Sequence, residues 1–374
     1  MEQSKRLLSL DVFRGITIAG MILVNSPGSW SYIYPPLDHA EWHGSTPTDW
    51  IFPFFLFIMG VAIPLALGRR IAEGADRKQL LLKILRRSLL IFLVAMFLAG
   101  FPKFNFATIR IPGVLTRIAL VYLCCSLLFV YVKNWRTQVW ISVGLLLGYW
   151  ALMTLVPVPD GNPPNLQPET NLGAWVDRAV FGTAHLWKQS ITWDPEGLLS
   201  TLPAIVTGML GIFTGLWLKT DRSDYEKLTG IFAVGTILLT LGLIWNPLFP
   251  INKKLWTSSY VLYVGGLAML FLGLIYWFVD VLGNKGWIKP FVVFGTNALF
   301  AFVLSGFLVR LSSLVRISTD DGKSQSVFNW VYAHAFEPMF ASPYNSSLAY
   351  AIAYVLLILG LTWILYWRKI FIKV

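Results

Sequence analysis

Residues 11–60 read DVFRGITIAGMILVNSPGSWSYIYPPLDHAEWHGSTPTDWIFPFFLFIMG, and this hairpin decides the fold. Two apolar runs flank a polar connection, and each run is about as long as the 20 residues that a helix needs to cross a bilayer. The connection contains no Lys or Arg, although the net charge of the chain is +11. It holds instead a cluster of amide and titratable groups, namely Asn25, Asp38, His39, Glu41, His43 and Asp49. Ionisable groups at membrane depth are typical of a functional site.

The rest of the 374-residue chain is similarly apolar, since 56% of it is hydrophobic and only 13% is charged. A soluble protein of this size needs more polar surface, so we predict an all-α polytopic membrane protein with a single domain over residues 1–374. The first apolar run is too long for a signal peptide and lacks a small-residue cleavage site. Apolar runs predict about ten transmembrane helices, at 10–31, 48–68, 84–101, 113–132, 138–157, 197–218, 229–248, 257–281, 288–310 and 347–367.

Basic residues concentrate in alternate connections, which fixes the expected topology. They are Lys5, Arg6, Arg69, Arg70, Arg77, Lys78, Lys83, Arg86, Arg87, Lys133, Arg136, Lys219, Arg222, Lys227, Lys285, Lys289, Arg368, Lys369 and Lys373. By the positive-inside rule this side is the cytoplasm, so both termini are expected there. The hairpin connection and the loops at 158–196 and 311–346 then face the other side. Charges placed this way set topology and do not indicate a nucleic-acid partner.

The long loop at 158–196 begins with Pro and Asn and continues as the amphipathic stretch LGAWVDRAVFGTAHLWKQS. Apolar residues on one face of this stretch predict a short helix at the membrane surface. No strong internal repeat is visible along the chain, which weighs against a secondary transporter, since many of these contain repeats.

The hairpin connection offers an imidazole beside carboxylates. A neutral imidazole held by a carboxylate is the commonest general base. The base is either His39 or His43, and the carboxylate is Asp38, Glu41 or Asp49; the spacing leaves these choices open. A zinc site needs three or four ligands, and no third His or Cys lies near, so we expect no metal.

Two residues of the first apolar run also invite a functional interpretation. Arg14 lies three residues after Asp11 on the same helical face, so it either forms a structural ion pair or contacts a ligand. Asn25 lies about 16 Å further along the helix. Its amide either joins neighbouring helices or donates to a developing oxyanion.

Polar side chains inside later spans need partners. The motif RIPGVLTR ends at Arg117, about one and a half turns inside a span, where a charge must pair with an acid or bind an anion. The same argument applies to Asn297 in GTNAL, although an amide is less costly to bury.

The motif NKKLWTSSY lies at the outer start of another span. Its Ser258 and Ser259 fit either helix packing or ligand contact, while Trp256 and Tyr260 suit an interfacial aromatic belt. Four bases depart from the charge bias and are therefore additional candidates for ligand contact: Lys103, Arg110, Lys253 and Lys254.

Together, SLDVFRG, DHAEWHGSTPTDWIFPFFLFIMG, RIPGVLTR and NKKLWTSSYVL resemble the transmembrane acyltransferase family of the heparan-α-glucosaminide N-acetyltransferases. The resemblance runs from about residue 7 to the C-terminus. We expect a compact bacterial relative in the inner membrane, without the large N-terminal domain and extra first span of the lysosomal members.

The resemblance implies that cytoplasmic acetyl-CoA donates an acetyl group to the amine of a glucosamine-like sugar on the far side. His39 matches the catalytic His of the family, Asn25 matches an Asn near the acyl group, and Asp49 matches the acid that opens the next span. Transfer is expected to be direct, with His39 as general base. An acetyl-His39 intermediate is the competing course.

Coenzyme A phosphates require cations, and the donor-binding candidates are Arg14, Arg117, Lys254, Ser258 and Asn297. The alternatives to an N-acetyltransferase are an O-acetyltransferase that acts on cell-envelope polysaccharide hydroxyls, and an anion or solute transporter. The expected partners are acetyl-CoA, an amino-sugar or glycan acceptor and the lipid bilayer, and the sequence leaves a homodimer open.

Overall fold

The computed structural model describes residues 7–318 and 324–372, except for the side chain of Arg69. Lys5, Arg6 and Lys373, which contribute to the charge bias, lie outside the described residues. The helices are α1 (Leu8–Asn25), α2 (Pro47–Ala72), α3 (Arg77–Gly100), α4 (Val114–Tyr131), α5 (Trp135–Leu155), α6 (Leu172–Phe181), α7 (Thr201–Leu218), α8 (Asp224–Trp245), α9 (Ser258–Tyr276), α10 (Lys289–Thr296), α11 (Ala298–Ser312), α12 (Val327–Val331) and α13 (Pro343–Trp367). Strands β1 (Arg316–Ser318) and β2 (Ser324–Ser326) pair antiparallel.

Eight helices of the described chain are long and apolar enough to cross a membrane: α1, α2, α4, α5, α7, α8, α9 with its extension to Val281, and α13. Helices α10 and α11 meet at an angle of 83° and make a ninth span if they are counted as one. Helix α3 is not among the eight because every stretch of it that is 18 residues long contains the three charges of Lys83, Arg86 and Arg87. The predicted helical membrane fold is confirmed. The count of ten spans and the cytoplasmic face remain predictions.

Both ends of the described chain lie at the same end of the helix bundle. Gly295, in the last turn of α10, packs directly against the backbone carbonyl of Asp11 in the first turn of α1. Two residues later, Asn297 donates to the carbonyl of Ile370 at 3.1 Å and accepts from the N–H of Ile372 at 2.8 Å. The segment that follows α13 is therefore held beside the start of α1.

The polar connection at 26–46 lies at the opposite end, where other connections hold it. The N–H of Gly44 donates to the carbonyl of Ile251 in the α8–α9 connection, at 2.7 Å. The indole N–H of Trp42 donates to the carbonyl of Leu166 in the α5–α7 connection, at 2.9 Å. Segments that are distant in sequence therefore shape this loop.

Helix α2 is fixed in the bundle by close backbone contact with α7. A Cβ added at Gly60 would lie 2.0 Å from the carbonyl oxygen of Gly208, and one at Gly211 would lie 2.0 Å from that of Phe57. Only glycine permits such an approach, which is typical of helix pairs in membranes. The contact with α7 therefore fixes the position of α2, whose first turn carries Asp49.

Within residues 158–196, where we predict a surface helix, the chain forms α6. The side chain of Asn171 caps this helix by accepting from the N–H of Ala174 at 2.9 Å. Helix α6 turns Asp177 into the protein, where the carboxylate is buried. Its location at a membrane surface remains a prediction.

Candidate active site

His39 and Asp49 form a hydrogen-bonded pair at the end of the bundle opposite the termini. His39 Nδ1 lies 2.6 Å from Asp49 Oδ1, and the side chains are 38% and 1% exposed. An ionised carboxylate only accepts hydrogen bonds, so the pairing places the imidazole proton on Nδ1. Nε2 then carries a lone pair, and no described residue forms a hydrogen bond with it. This arrangement is suited to general-base chemistry.

The second carboxylate oxygen of Asp49 fixes the pair in place. Asp49 Oδ2 accepts from the backbone N–H groups of Ala40 at 3.1 Å and Thr46 at 3.0 Å. The loop therefore folds around the carboxylate and restricts its orientation. Because a carboxylate partner orients an imidazole, the ring of His39 is positioned as well.

The local sequence explains why the loop adopts this shape. Pro47 occupies the first position of α2, where its missing N–H has no helical partner to lose. The Thr46 hydroxyl donates to the backbone carbonyl of Asp38 at 2.6 Å, and the carboxylate of Asp38 accepts from the N–H of His39 at 2.8 Å. An acid in the first turn of a helix is also stabilised by the helix dipole, which favours Asp49 at this position.

His43, the alternative imidazole, has different surroundings. Its Nδ1 lies 3.3 Å from the amide nitrogen of Asn252, and burial lowers the pKa of His43 below its ordinary value. Of the two imidazoles in the loop, His39 is the one that contacts a carboxylate. Of the three acids that the spacing left open, Asp49 is the one that contacts an imidazole.

Asn25 is the last residue of α1 and its side chain is exposed. Gly20 of α1 packs against Ile51 of α2, so Asn25 lies at the same end of the bundle as the His39–Asp49 pair. The side-chain amide of Asn25 forms no hydrogen bond with a described residue. The structure thus brings two of the three predicted catalytic residues into contact and leaves the third at the same end of the bundle, with no described partner for its side-chain amide.

The predicted donor-binding residues are divided between the two ends of the bundle. Arg14 and Asn297 lie at the end with the termini. Arg14 Nη1 is 3.4 Å from Asp11 Oδ1 and donates to the carbonyl of Gly295 at 3.2 Å. The ion pair that the spacing allowed is therefore formed, while Asn297 holds the C-terminal segment.

Arg117 lies at the other end, in the interior of the bundle, and is 1% exposed. Its guanidinium lies over the ring of Trp256 at 5.0 Å, and Nη2 donates to the carbonyl of Gly197 at 2.9 Å and to the hydroxyl of Ser200. Nε and Nη1 have no hydrogen-bond partner among the described residues. Of the two expectations for Arg117, direct pairing with an acid does not occur among its described contacts, which are an aromatic face and neutral acceptors. Binding of an anion stays a prediction.

The buried acids Asp194 and Glu196 pair with Arg110 instead. Arg110 Nε and Nη2 donate to the two oxygens of Asp194 at 2.8 and 2.6 Å, and Nη2 also donates to Glu196 at 2.7 Å. These carboxylates raise the pKa of Arg110, against the effect of burial. Arg110 therefore joins the α5–α7 connection to the start of α4. Neither acid stands out in the sequence, where the indirect signal is Arg110, a base that departs from the charge bias.

Lys254 contacts the hairpin connection. Its Nζ donates to the backbone carbonyl of Glu41 at 2.5 Å and lies 5.9 Å from the ring centre of Trp42 and 6.0 Å from that of Trp193. Burial lowers the pKa of Lys254, and the neighbouring charge of Lys253 lowers it further. A cation thus lies near the His39–Asp49 pair, on a different connection.

The start of α9 supplies two buried hydroxyls. Ser258 donates to the carbonyl of Leu146 in α5 at 2.7 Å, so its hydroxyl joins two helices. Tyr260 donates to the backbone carbonyl of Asp49 at 2.5 Å. The prediction of an interfacial belt is wrong for Tyr260 and for Trp256, because both are fully buried. Their polar groups find partners inside the bundle, which allows this burial.

No group of three or more His, Cys, Asp or Glu residues in the described chain could hold a metal ion. The His39–Asp49 arrangement provides an acid–base pair without one.

A family described as "Domain of unknown function (DUF5009)" matches residues 6–214, and the chain belongs to this family. The chain is 29% identical over 355 residues to the heparan-α-glucosaminide N-acetyltransferase of Homo sapiens, in an alignment that covers 80% of this chain and 52% of that protein. It is 28% identical over 357 residues to the enzyme of the same name from Mus musculus, with 80% and 53% covered. The chain thus spans about half the length of the curated relatives that it matches.

Proposed function

We propose that this member of the DUF5009 family is a membrane-bound acetyltransferase that uses acetyl-CoA to acetylate the amine of a glucosamine-like sugar. The observation that carries the proposal is the His39–Asp49 pair, with its 2.6 Å contact and a half-exposed ring whose Nε2 is free to accept a proton. Similarity to two proteins named as N-acetyltransferases of a glucosaminide supports the reaction type and the acceptor class.

In the proposed mechanism His39 acts as the general base. Nε2 removes a proton from the acceptor amine while the amine nitrogen attacks the thioester carbonyl, and Asp49 stabilises the imidazolium that forms. The tetrahedral intermediate then collapses with loss of the coenzyme A thiolate, which takes the proton from Nε2. A positioned base of this kind contributes about 10²- to 10⁴-fold to the rate.

Asn25 is proposed to stabilise the oxyanion of the tetrahedral intermediate. Its exposed amide has no hydrogen-bond partner in the described chain and lies at the same end of the bundle as His39. Removal of a single oxyanion donor costs about 3 kcal/mol of transition-state stabilisation in other enzymes. In the competing course, Nε2 of His39 attacks the thioester and coenzyme A leaves as the thiolate. The acceptor amine then displaces the imidazole from the acetyl group, and its proton goes to the thiolate. Ping-pong kinetics would identify that course.

The two ends of α1 are proposed to face different compartments. The end that holds Arg14 and Asn297 also carries the basic connections, so we assign it to the cytoplasm and to the donor phosphates. The end that holds His39 faces outward, with Lys254 and Arg117 nearby. A helix of 18 residues is about 27 Å long, so one hairpin connects both surfaces. We place the protein in the bacterial inner membrane.

The test is acetyl transfer by the purified protein in lipid nanodiscs, with radiolabelled acetyl-CoA and glucosamine. We expect labelled N-acetylglucosamine. Acetylation of N-acetylglucosamine, which offers hydroxyls but no free amine, at an equal rate would favour the O-acetyltransferase alternative. Absence of any acetylated product together with absence of coenzyme A binding would refute the acetyltransferase. Uptake of a labelled anion into proteoliposomes would then test the transporter alternative.

A further inference from the structure

Helix α2 contains a proline four residues after Asp49. In an α-helix the carbonyl of each residue accepts from the N–H four residues later, and Pro53 has no N–H. The backbone carbonyl of Asp49 therefore lacks its usual helical donor. Asp49 is buried, and a buried carbonyl without a donor destabilises the fold.

Tyr260 supplies the missing donor from a different helix. Its hydroxyl lies 2.5 Å from the carbonyl oxygen of Asp49, and the whole residue is 0% exposed. The Tyr260 ring packs edge-on against Trp256 at 5.5 Å, and Trp256 in turn packs against Phe52 at 5.1 Å. The phenol is therefore held by its ring, and its hydroxyl points at the position that Pro53 leaves open.

We propose that Tyr260 is a positioning residue for the His39–Asp49 pair, and that its hydroxyl acts through the carbonyl that Pro53 leaves without a donor. The inference rests on the proposed function, because it assigns how the proposed base is held. The same residue, Asp49, carries the carbonyl that Tyr260 binds and the carboxylate that binds His39. Any rotation of the first turn of α2 would move both, and α9 would prevent that rotation.

The connection that precedes α9 strengthens this argument, because it contacts the hairpin at three further points, one of them the hydrogen bond from the N–H of Gly44 to the carbonyl of Ile251. Asn252 approaches His43, and Lys254 binds the carbonyl of Glu41. The α8–α9 segment thus contacts the stretch between His39 and Asp49, and Tyr260 is the contact that reaches Asp49 itself.

The first test is the kinetics of Tyr260→Phe, which removes only the hydroxyl. We expect kcat to fall about tenfold, as for the loss of one hydrogen bond, while KM for acetyl-CoA stays within about twofold. The matched control is Tyr354→Phe. The hydroxyl of Tyr354 also donates to a backbone carbonyl inside the bundle, that of Ser305 at 2.7 Å, but it lies on α13, away from the His39–Asp49 pair. The control should keep the kcat of the wild type.

The decisive test adds Pro53→Ala, which restores a backbone N–H four residues after Asp49. In this background Tyr260→Phe should lower kcat by less than about threefold, because the restored N–H supplies the donor. If Tyr260→Phe costs the same factor in both backgrounds, the hydroxyl does not act through this carbonyl and the proposal is overturned. If the ring of Tyr260 acted only by packing, the effect of Tyr260→Phe on kcat would not depend on residue 53.

A readout that needs no turnover separates this inference from the proposed function. The chain has four His residues, so labelling with ¹⁵N-histidine gives four imidazole spectra, and His39→Gln identifies one of them. Tyr260→Phe should convert His39 from the Nδ1–H tautomer to a mixture, and Pro53→Ala should restore it. An unchanged His39 spectrum would overturn the positioning role even if the wild type is active. A wild type that neither transfers acetyl nor binds coenzyme A would refute only the proposed function.

Discussion

Asp49→Asn keeps the shape of the side chain and changes which atom donates to His39. The N–H groups of Ala40 and Thr46 both point at Oδ2, so the amide oxygen must occupy that position. The amide NH₂ then faces Nδ1 of His39 and donates to it, which moves the imidazole proton to Nε2. The substitution thus removes the lone pair from the atom that we propose to be the base.

The size of the effect follows from the environment of the pair. The hydrogen bond is 2.6 Å long and the carboxylate is almost completely buried, so water cannot replace it. In serine proteases the equivalent change of tautomer lowers kcat by about 10⁴-fold. The ring of His39 is partly exposed and can turn toward solvent, so we expect a loss of about 10²- to 10⁴-fold. Thermal stability should change little, because both backbone donors keep an acceptor.

The assay combines initial rates of acetyl transfer with ¹⁵N spectra of the histidine rings. The control is Asp38→Asn, which alters a neighbouring carboxylate that accepts from the backbone N–H of His39 and not from its ring. The control should cost less than about threefold. An Asp49→Asn variant that keeps wild-type kcat, with the proton of His39 still on Nδ1, would refute the reasoning.

Two further predictions concern residues outside the pair. Burial raises the pKa of Asp177 to about 7, and the charge of Asp194 adds to this effect. The folded protein therefore favours the protonated acid, and this stabilisation is complete below about pH 4 and is lost as the pH rises through about 7. Asp177→Asn should raise the free energy of unfolding at pH 8 by at most about 4 kcal/mol and leave it unchanged at pH 4. The measurement is Tm at both pH values, and an equal gain in Tm at both would contradict the prediction. Ser258→Ala should cost about 1 kcal/mol of stability, seen as a lower Tm, and leave KM for acetyl-CoA unchanged; a raised KM at constant Tm would instead support the predicted donor contact.

The sequence predicts the helices that frame the site well, because length and hydropathy decide a transmembrane helix. The spacing of the hairpin did not decide between His39 and His43. The connection has no helical or strand period, and its shape depends on remote contacts such as that of Gly44 with Ile251. Here the family resemblance provided the choice, and the contact between His39 and Asp49 agrees with it.

Other features depend on contacts that no local pattern encodes. The acids that pair with Arg110 lie 84 and 86 residues away in the sequence, so hydropathy and charge spacing could not identify them. The predicted span at 288–310 is bent by 83° at Asn297, although its hydropathy is continuous. The side chain of Asn297 binds the backbone that follows α13, and this long-range contact accompanies the break.

The most direct measurement is the rate of acetyl transfer by His39→Ala beside that of His43→Ala, with coenzyme A binding and thermal unfolding as controls for folding. We predict that His39→Ala abolishes turnover while coenzyme A binding and Tm stay close to those of the wild type. His43→Ala should lose much less, since that ring contacts no carboxylate among the described residues. Turnover of His39→Ala at the wild-type rate would contradict the central claim that this imidazole is the catalytic base.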